Sequence, residues 1–178
     1  MQEFKKFLCP KDVQAWIEHY YSNEPLINFS VRHQPDSPLA MYKGNGYKWM
    51  NERVRVGGIN EPDISMLQKS LMQQKIPESI QVFRFVDLKE LKILLWKTRC
   101  QRSFEYPGFL STTLLPEYYS MVDIIKNRTL ISLFIEKGVC GMYLPEVNPN
   151  MPEFEILFPH HLKLNRIKWN QFLIKADS

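Results

Sequence analysis

The chain has 178 residues and a net charge of +4, with 44% hydrophobic and 24% charged residues. This length allows a substantial core, so we expect a single domain over residues 1–178. The mild positive charge favours an anionic ligand. No dense run of Lys and Arg with interleaved aromatic residues indicates a nucleic-acid partner. No apolar stretch approaches the roughly 18 residues that a membrane helix requires, so no membrane partner is expected either.

The cysteines and the first eight residues indicate which cellular compartment the protein occupies. Cys9, Cys100 and Cys140 are odd in number and lack the spacing of a metal site, which favours a reduced compartment. Residues 1–8 carry lysines but no apolar run, so we expect no cleavable signal peptide. The chain is expected to be a monomer that either stays in the cytosol or leaves by a route without a cleavable signal.

Helical periodicity dominates the first part of the chain, about 1–75. Apolar residues recur at helical spacing over 10–22, about 47–56 and about 62–74, and these patterns predict three helices. Residues 23–41 are rich in proline and polar residues and predict a long loop.

Strand patterns dominate the second part, about 76–178. They predict strands at 80–86, 109–113, 129–135 and 153–158 and a β-rich tail over 162–175, with helices at 87–99 and about 116–126 and a loop at 143–152. Because helices come first and strands later, the order favours an α+β fold over a parallel βαβ sheet.

Two glutamates lie on a short predicted strand between prolines, Pro152 to Pro159. Side chains alternate along a strand, so Glu153 and Glu155 are expected on one face, with Phe154 on the other. Two adjacent carboxylates suit chemistry that stabilises a developing cation and holds a basic acceptor. An isolated Glu-x-Glu is more often a strand with one solvent-facing side.

Two further strands carry polar residues that need an explanation. Arg84 shares a face with three aliphatic residues and therefore requires a partner, which is either a carboxylate of the chain or a ligand phosphate. Ser111, Thr112 and Thr113 follow two apolar residues. They form either a strand edge with local hydrogen bonds or a support in which the Ser111 hydroxyl orients a catalytic carboxylate.

The chain resembles the mono-ADP-ribosyltransferases of the arginine–serine–glutamate class. The resemblance lies in the order of its motifs: a strand arginine is followed by Ser-Thr-Thr and then by Glu-x-Glu. That class includes bacterial binary-toxin enzymes and Rho-modifying exoenzymes, and the resemblance covers roughly residues 42–159. It implies two small, mostly antiparallel sheets facing each other across a cleft, with helices packed around them. It also implies NAD as co-substrate, no metal, and a protein target.

The resemblance assigns roles to the motif residues. Arg84 is expected to bind the NAD phosphates, and Ser111 to hold the catalytic Glu155. Glu153 is expected to orient the acceptor, and a glutamate there implies an arginine acceptor. Thr112 and Thr113 match the remainder of the family's Ser-Thr-Ser strand, with threonine in place of the last serine.

Three other positions are expected to face NAD. Asn51 and Arg55 are four residues apart on one helix face, so they either reach one ligand or form an ordinary solvated face. Phe85 stands where several family members have a glycine whose backbone reads the nicotinamide amide. His160 and His161 are not expected to bind a metal, because neighbours on a strand point apart.

The predicted function is transfer of ADP-ribose from NAD to a protein arginine, by a secreted or injected bacterial effector or toxin that acts in a target-cell cytosol. Two alternatives keep the chemistry: an NAD glycohydrolase, in which water takes the ribosyl group, and a phage-type transferase acting on host proteins. Two further alternatives involve no catalysis: an inactive relative that serves as a binding module, and an unrelated α+β interaction domain.

Overall fold

The computed structural model describes residues 3–21, 38–101, 103–118, 127–144 and 153–176. The helices in these ranges are α1 (Pro10–Tyr21), α2 (Pro38–Met41), α3 (Tyr47–Arg55), α4 (Pro62–Met72) and α5 (Leu88–Gln101). One π-helical segment, Tyr42–Gly46, joins α2 to α3, and a 3-10 turn spans Pro116–Tyr118. Within the described ranges, no helix has both the length and the apolar character to cross a membrane.

Eight strands in these ranges form one mixed sheet. They are β1 (Ile80–Val86), β2 (Ser103–Glu105), β3 (Leu110–Thr113), β4 (Thr129–Ile135), β5 (Met142–Leu144), β6 (Glu155–Phe158), β7 (Lys163–Lys168) and β8 (Gln171–Ile174). The strand order is β2-β7-β8-β4-β1-β3-β6-β5. Its neighbours are antiparallel except β4 and β8, which are parallel. The predicted α+β class is confirmed.

The expectation of two separate sheets is not confirmed, because strand β1 connects the two parts of the sheet. On one side β1 pairs with β4 along its whole length, from Ile80 opposite Ile135 to Val86 opposite Thr129. On the other side β1 meets β3 in a single residue pair, Phe83 opposite Thr113. The β3-β6-β5 part is therefore attached to the remaining strands by a very short ladder.

Two apolar clusters pack against the sheet. The larger one joins α1 and α5 to the central strands and includes the fully buried Trp16, Val82 and Leu133. The second cluster joins α3 and α4 to β5, β6 and Phe109, the residue before β3, and it includes Met50 and Leu67. Because α3 packs against β6 and its neighbours through this second cluster, the residues of α3 lie close to the Glu-x-Glu strand.

The predicted elements agree with the structure where the apolar pattern is long. Strands 80–86 and 129–135 match β1 and β4 at both ends. The helix predicted over 116–126 begins with the 3-10 turn, and its residues 119–126 lie outside the described ranges, as do residues 23–37 of the predicted loop.

Two short strands were not predicted. Tyr143 and Leu144, assigned to a loop, belong to β5, which extends the sheet by pairing with β6. The rest of that loop, 145–152, lies outside the described residues. β2 has only three residues and is a strand because it pairs with β7, far along the chain. A segment as short as this shows no alternation of apolar and polar residues, so its sequence alone does not predict a strand.

Leu133→Ala should lower the free energy of unfolding by about 2–5 kcal/mol, because it removes methyl groups from a fully buried position in β4. The control is Leu88→Ala, since Leu88 is 62% exposed and its truncation leaves no cavity. Urea denaturation of both variants measures the difference. Equal midpoints would contradict the placement of Leu133 in the core.

Candidate active site

Glu155 is the first residue of β6, and it is held by a hydrogen bond from the neighbouring strand. The Ser111 hydroxyl of β3 donates to Glu155 Oε1 over 2.5 Å. Thr113 stands directly opposite Glu155 in the ladder, so Ser111 reaches the carboxylate diagonally across the pair. Only 9% of the Glu155 side chain is exposed. The expected contact between serine and carboxylate is therefore present in the structure.

Glu153 reaches the same site, but it does not lie on the strand as expected. The strand begins at Glu155, and the intervening Phe154 has a positive φ of 45°, in the left-handed region that residues other than glycine rarely adopt. Regular alternation therefore does not apply across Phe154, and the expectation of one continuous strand over 153–158 is wrong at its start. The Glu153 side chain is 32% exposed, so it is the more accessible of the two glutamates.

The two carboxylates meet at a lysine from a distant part of the chain. The Lys43 ammonium, in the π-helical segment Tyr42–Gly46, donates to Glu153 Oε2 and to Glu155 Oε2. Burial lowers the pKa of Lys43, but the charge of Glu155 and the bonds to both glutamates outweigh burial and leave that pKa raised. Lys43 is therefore a cation, and it offsets part of the repulsion between the two glutamates.

Arg84 lies in β1 and donates to groups on three other segments. Its Nε binds Glu90 Oε1 of α5 at 3.0 Å, its Nη1 binds the Ser111 carbonyl at 2.8 Å, and its Nη2 binds the Tyr106 hydroxyl at 2.9 Å. Tyr106 donates in turn to Glu90 Oε1 at 2.9 Å. Of the two partners considered for Arg84, the structure therefore supplies a carboxylate of the chain. Ser111 links Arg84 on its carbonyl side to Glu155 on its hydroxyl side.

The surroundings of Arg84 favour its charge. Burial lowers the pKa of Arg84, but the neighbouring Tyr106 and Glu90 outweigh it, and the net pKa is raised. Burial is also the largest influence on Tyr106 and raises the pKa of its hydroxyl, although Arg84 opposes this. The phenol therefore stays neutral and keeps both of its hydrogen bonds.

Asn51 and Arg55 both lie on α3, but their side chains have different surroundings. Asn51 Oδ1 accepts the backbone N–H of Phe109 at 2.8 Å, and its Nδ2 donates to the Tyr42 hydroxyl at 3.3 Å. A Cβ at Gly108 would lie 2.6 Å from Asn51 Oδ1, so this close approach requires glycine. Asn51 thereby fixes the turn that leads into β3.

Arg55 is exposed and lines a pocket of about 360 Å³. The pocket lies between α3, the first half of α5 and the segment from β2 to the following turn. Its other lining residues are Asp87, Lys89, Glu90, Ile93, Leu94, Phe104, Tyr106 and Pro107. Glu90 and Tyr106 both bind Arg84, so the pocket adjoins the Arg84 network. Asn51 does not line this pocket.

The remaining predicted residues lie within the sheet. Phe85 is half-buried in β1, opposite Leu130 of β4. The buried Thr112 hydroxyl donates to the Ile156 carbonyl at 3.0 Å, and Thr113 donates to the Glu153 carbonyl at 2.7 Å. The two threonine hydroxyls therefore fasten β3 to the segment that carries both glutamates.

The two histidines after β6 have separate surroundings. His161 Nδ1 lies 2.6 Å from Glu105 Oε1, whereas His160 is buried against Phe109. Burial, with a smaller contribution from His161, lowers the pKa of His160 to about 4, so its ring is neutral at pH 7. Among the described residues, no group of three His, Cys, Asp or Glu side chains could hold a metal ion.

Comparison with known families identifies the family of this chain. The family described as ADP-ribosyltransferase exoenzyme matches residues 16–174, which is most of the chain. The chain belongs to the ADP-ribosyltransferase exoenzyme family. It is a mono-ADP-ribosyltransferase of the bacterial toxin type, with NAD as its co-substrate. No curated protein matches the chain in sequence.

Solved structures of bacterial ADP-ribosyltransferases share this fold. The C3 exoenzyme of Clostridium limosum is 18% identical with a TM-score of 0.67, and the match covers 97% of this chain and 96% of that one. A C3-type protein from S. aureus, solved with NAD, is 17% identical with a TM-score of 0.64, covering 98% of this chain and 97% of that one. The ADP-ribosylating toxin of a C. perfringens binary enterotoxin, solved with NADH, is 19% identical with a TM-score of 0.68, covering 98% of this chain and 49% of that one.

Sequence reasoning missed three residues of the candidate site: Lys43, Glu90 and Tyr106. Lys43 is 110 residues from Glu153 along the chain, and no local pattern distinguishes it from a surface lysine. Glu90 had a usable signal, because it is six residues after an arginine that required a partner and lies in the first turn of the next helix. Tyr106 follows β2, and no pattern in the sequence indicates its contact with Arg84.

Arg84→Lys should destabilise the transferase, because a single ammonium cannot reproduce three bonds made from three nitrogens of a planar guanidinium. We expect a loss of about 1–3 kcal/mol in the free energy of unfolding. Arg53→Lys is the matched control, since Arg53 makes an exposed ion pair with Glu61 and its replacement should change little. Thermal melts of both variants measure this, and equal melting temperatures would contradict the role of Arg84 in stability.

Proposed function

We propose that this transferase moves ADP-ribose from NAD to an arginine side chain of a protein target. The observation that carries the proposal is the meeting of Glu153 and Glu155 at one cation. This contact brings together a buried carboxylate and an accessible one. The chemistry needs such a pair, because the sugar and the acceptor each require an anionic partner.

Glu155 is assigned to the sugar. When the bond between ribose C1 and the nicotinamide nitrogen breaks, nicotinamide leaves with the electron pair and positive charge develops on the ribose, as in glycoside hydrolysis. A fixed, largely buried carboxylate stabilises that charge more strongly than one in water. Ser111 fixes one oxygen of Glu155, so the carboxylate does not have to reorganise during the reaction.

Arg84 and Arg55 are assigned to the phosphates of NAD. A guanidinium has five N–H donors, and the bonds described for Arg84 use three of them, so two remain for a phosphate. Arg55 lines the adjoining pocket, whose size suits part of a dinucleotide. Asn51 contributes by shaping the turn before β3. Thr112 and Thr113 contribute by holding the glutamate segment, and the Phe85 backbone is assigned to the nicotinamide amide.

Glu153 is assigned to the acceptor. A guanidinium carries a permanent charge and is held best by a carboxylate, and it must lose a proton when its nitrogen bonds to ribose C1. Glu153 is the more exposed glutamate, which suits a group that meets another protein.

The setting of the reaction is also part of the proposal. The family is one of exoenzymes, which supports a secreted or injected protein that acts in the cytosol of a target cell. The whole of residues 1–178 serves as one transferase domain, and the chain works as a monomer.

Exchanging each glutamate for glutamine should separate their roles. Glu155→Gln removes the charge beside the sugar, so NAD hydrolysis and arginine modification should both fall by roughly 100- to 1000-fold. Glu153→Gln should abolish arginine modification and leave hydrolysis largely in place, because water needs no anionic partner. The measurements are nicotinamide release and transfer of labelled ADP-ribose to protein, with the exposed Glu18→Gln of α1 as control.

The same measurements decide between the transferase and its closest alternative. If the wild-type protein releases nicotinamide but labels no protein arginine, the activity is NAD hydrolysis and the assignment of Glu153 fails. If Glu153→Gln loses hydrolysis as completely as Glu155→Gln, the two carboxylates form one coupled site and the division of roles is wrong.

A further inference from the structure

Lys43 occupies the place that the proposed chemistry reserves for the acceptor. Its ammonium binds the Oε2 atoms of Glu153 and Glu155 at the same time, and only 13% of its side chain is exposed. An acceptor arginine has to bring a cation to the same two carboxylates. We propose that Lys43 is an internal stand-in for the acceptor cation, which a cationic acceptor must displace and which suppresses NAD cleavage until it does.

This inference rests on the proposed function, because it assigns the Glu153 side of the site to an acceptor. Coulomb repulsion between two unit charges about 4 Å apart is worth several kcal/mol near a protein surface. The Lys43 ammonium and an acceptor guanidinium therefore cannot both sit on one carboxylate pair without a large cost. The pair can hold either cation, and the choice depends on the acceptor's concentration and affinity.

The same charge opposes cleavage of NAD. Glu155 stabilises the ribose because it is anionic, and a cation bound to its Oε2 reduces the field that the developing positive charge experiences. With Lys43 in place, hydrolysis by water is slowed. An acceptor that has displaced Lys43 differs from it, because its guanidinium gives up a proton to Glu153 as its nitrogen bonds to ribose C1 and nicotinamide leaves with the electron pair of the broken bond. The substituted guanidinium keeps one positive charge, so the site does not hold a separate cation beside the ribosyl charge, as it does with Lys43 in place.

The local structure allows Lys43 to leave without disturbing the catalytic carboxylate. Glu155 keeps its second anchor, because Ser111 binds the other oxygen, Oε1. The neighbouring Tyr42 is buried and bonded to Asn51, which fixes the start of the π-helical segment. The backbone at Gly44 departs from helical geometry with ψ of −115°, and open space surrounds the position of its missing Cβ. The long lysine side chain can therefore swing out from a stable base.

The first test needs no catalysis. Wild-type protein is treated with an amine-acetylating reagent, and acetylation of Lys43 is measured by mass spectrometry, with the exposed Lys48 of α3 as internal reference. N-Acetylarginine amide has a guanidinium but no amine. Its addition should raise acetylation of Lys43 relative to Lys48, whereas the neutral N-acetylcitrulline amide should not. Unchanged acetylation of Lys43 up to the solubility limit of the arginine compound would overturn the inference.

The second test uses two variants. Lys43→Met keeps an unbranched side chain without the charge, so NAD hydrolysis in the absence of acceptor should rise about tenfold, and the KM for N-acetylarginine amide should fall. Lys43→Arg keeps the charge and should retain slow hydrolysis. If Lys43→Met melts close to wild type but hydrolyses NAD no faster, Lys43 does not restrain cleavage and the inference is wrong.

The outcomes distinguish this inference from the proposed function. If the wild-type protein modifies arginine while Lys43 behaves the same with and without acceptor, the function stands and the inference fails. If arginine displaces Lys43 but no ADP-ribose is transferred to it, the inference about the carboxylate pair stands and the arginine-transferase proposal fails.

Discussion

The partly buried guanidinium of Arg84 is the group on which the site's architecture depends. β1 and β3 share one residue pair, so the backbone ladder alone holds the two parts of the sheet together weakly. Arg84 strengthens this junction by binding the Ser111 carbonyl of β3, Glu90 of α5 and the Tyr106 hydroxyl. A cation that is largely removed from water is costly to leave unpaired, so each of its partners contributes to stability. The hydroxyl of Ser111 then sets the position of Glu155.

One consequence is that stability and chemistry are not separable at Arg84. The sequence suggested two partners for this residue, a carboxylate of the chain or a ligand phosphate, as if they excluded each other. The geometry makes them compatible, because a planar guanidinium binds protein groups along some of its N–H directions and leaves others. A loss of activity on replacing Arg84 would therefore reflect both a displaced β3 and a weakened hold on NAD.

The sequence predicted those features that depend on neighbouring residues. β1 and β4 are long, apolar and rich in β-branched residues, so both of their ends were predicted correctly. The start of α4 follows from Pro62, which suits the first turn of a helix. The contact between Ser111 and Glu155 was expected from the family resemblance of the short motifs, not from any property of either residue alone.

Features that depend on distant residues could not be predicted in this way. Lys43 contacts the glutamates because α3 packs against β6, and the residues near position 43 show no pattern that predicts this contact. The left-handed Phe154 breaks the alternation on which the placement of Glu153 was argued, although both carboxylates still reach one site. The union of two expected sheets into one depends on a single pair between β1 and β3, which no local pattern encodes.

The strand order also constrains how the protein can be made. In the sheet, β4 lies between β1 and β8, and β8 ends at Ile174. While the ribosome is still translating the preceding residues, β4 has one open edge with unpaired backbone groups, and β2 has no β7 to pair with. Such edges invite association with other chains. The nascent polypeptide should therefore depend on chaperones until β8 emerges, and a premature stop codon before β7 should give an aggregating product instead of a shorter enzyme.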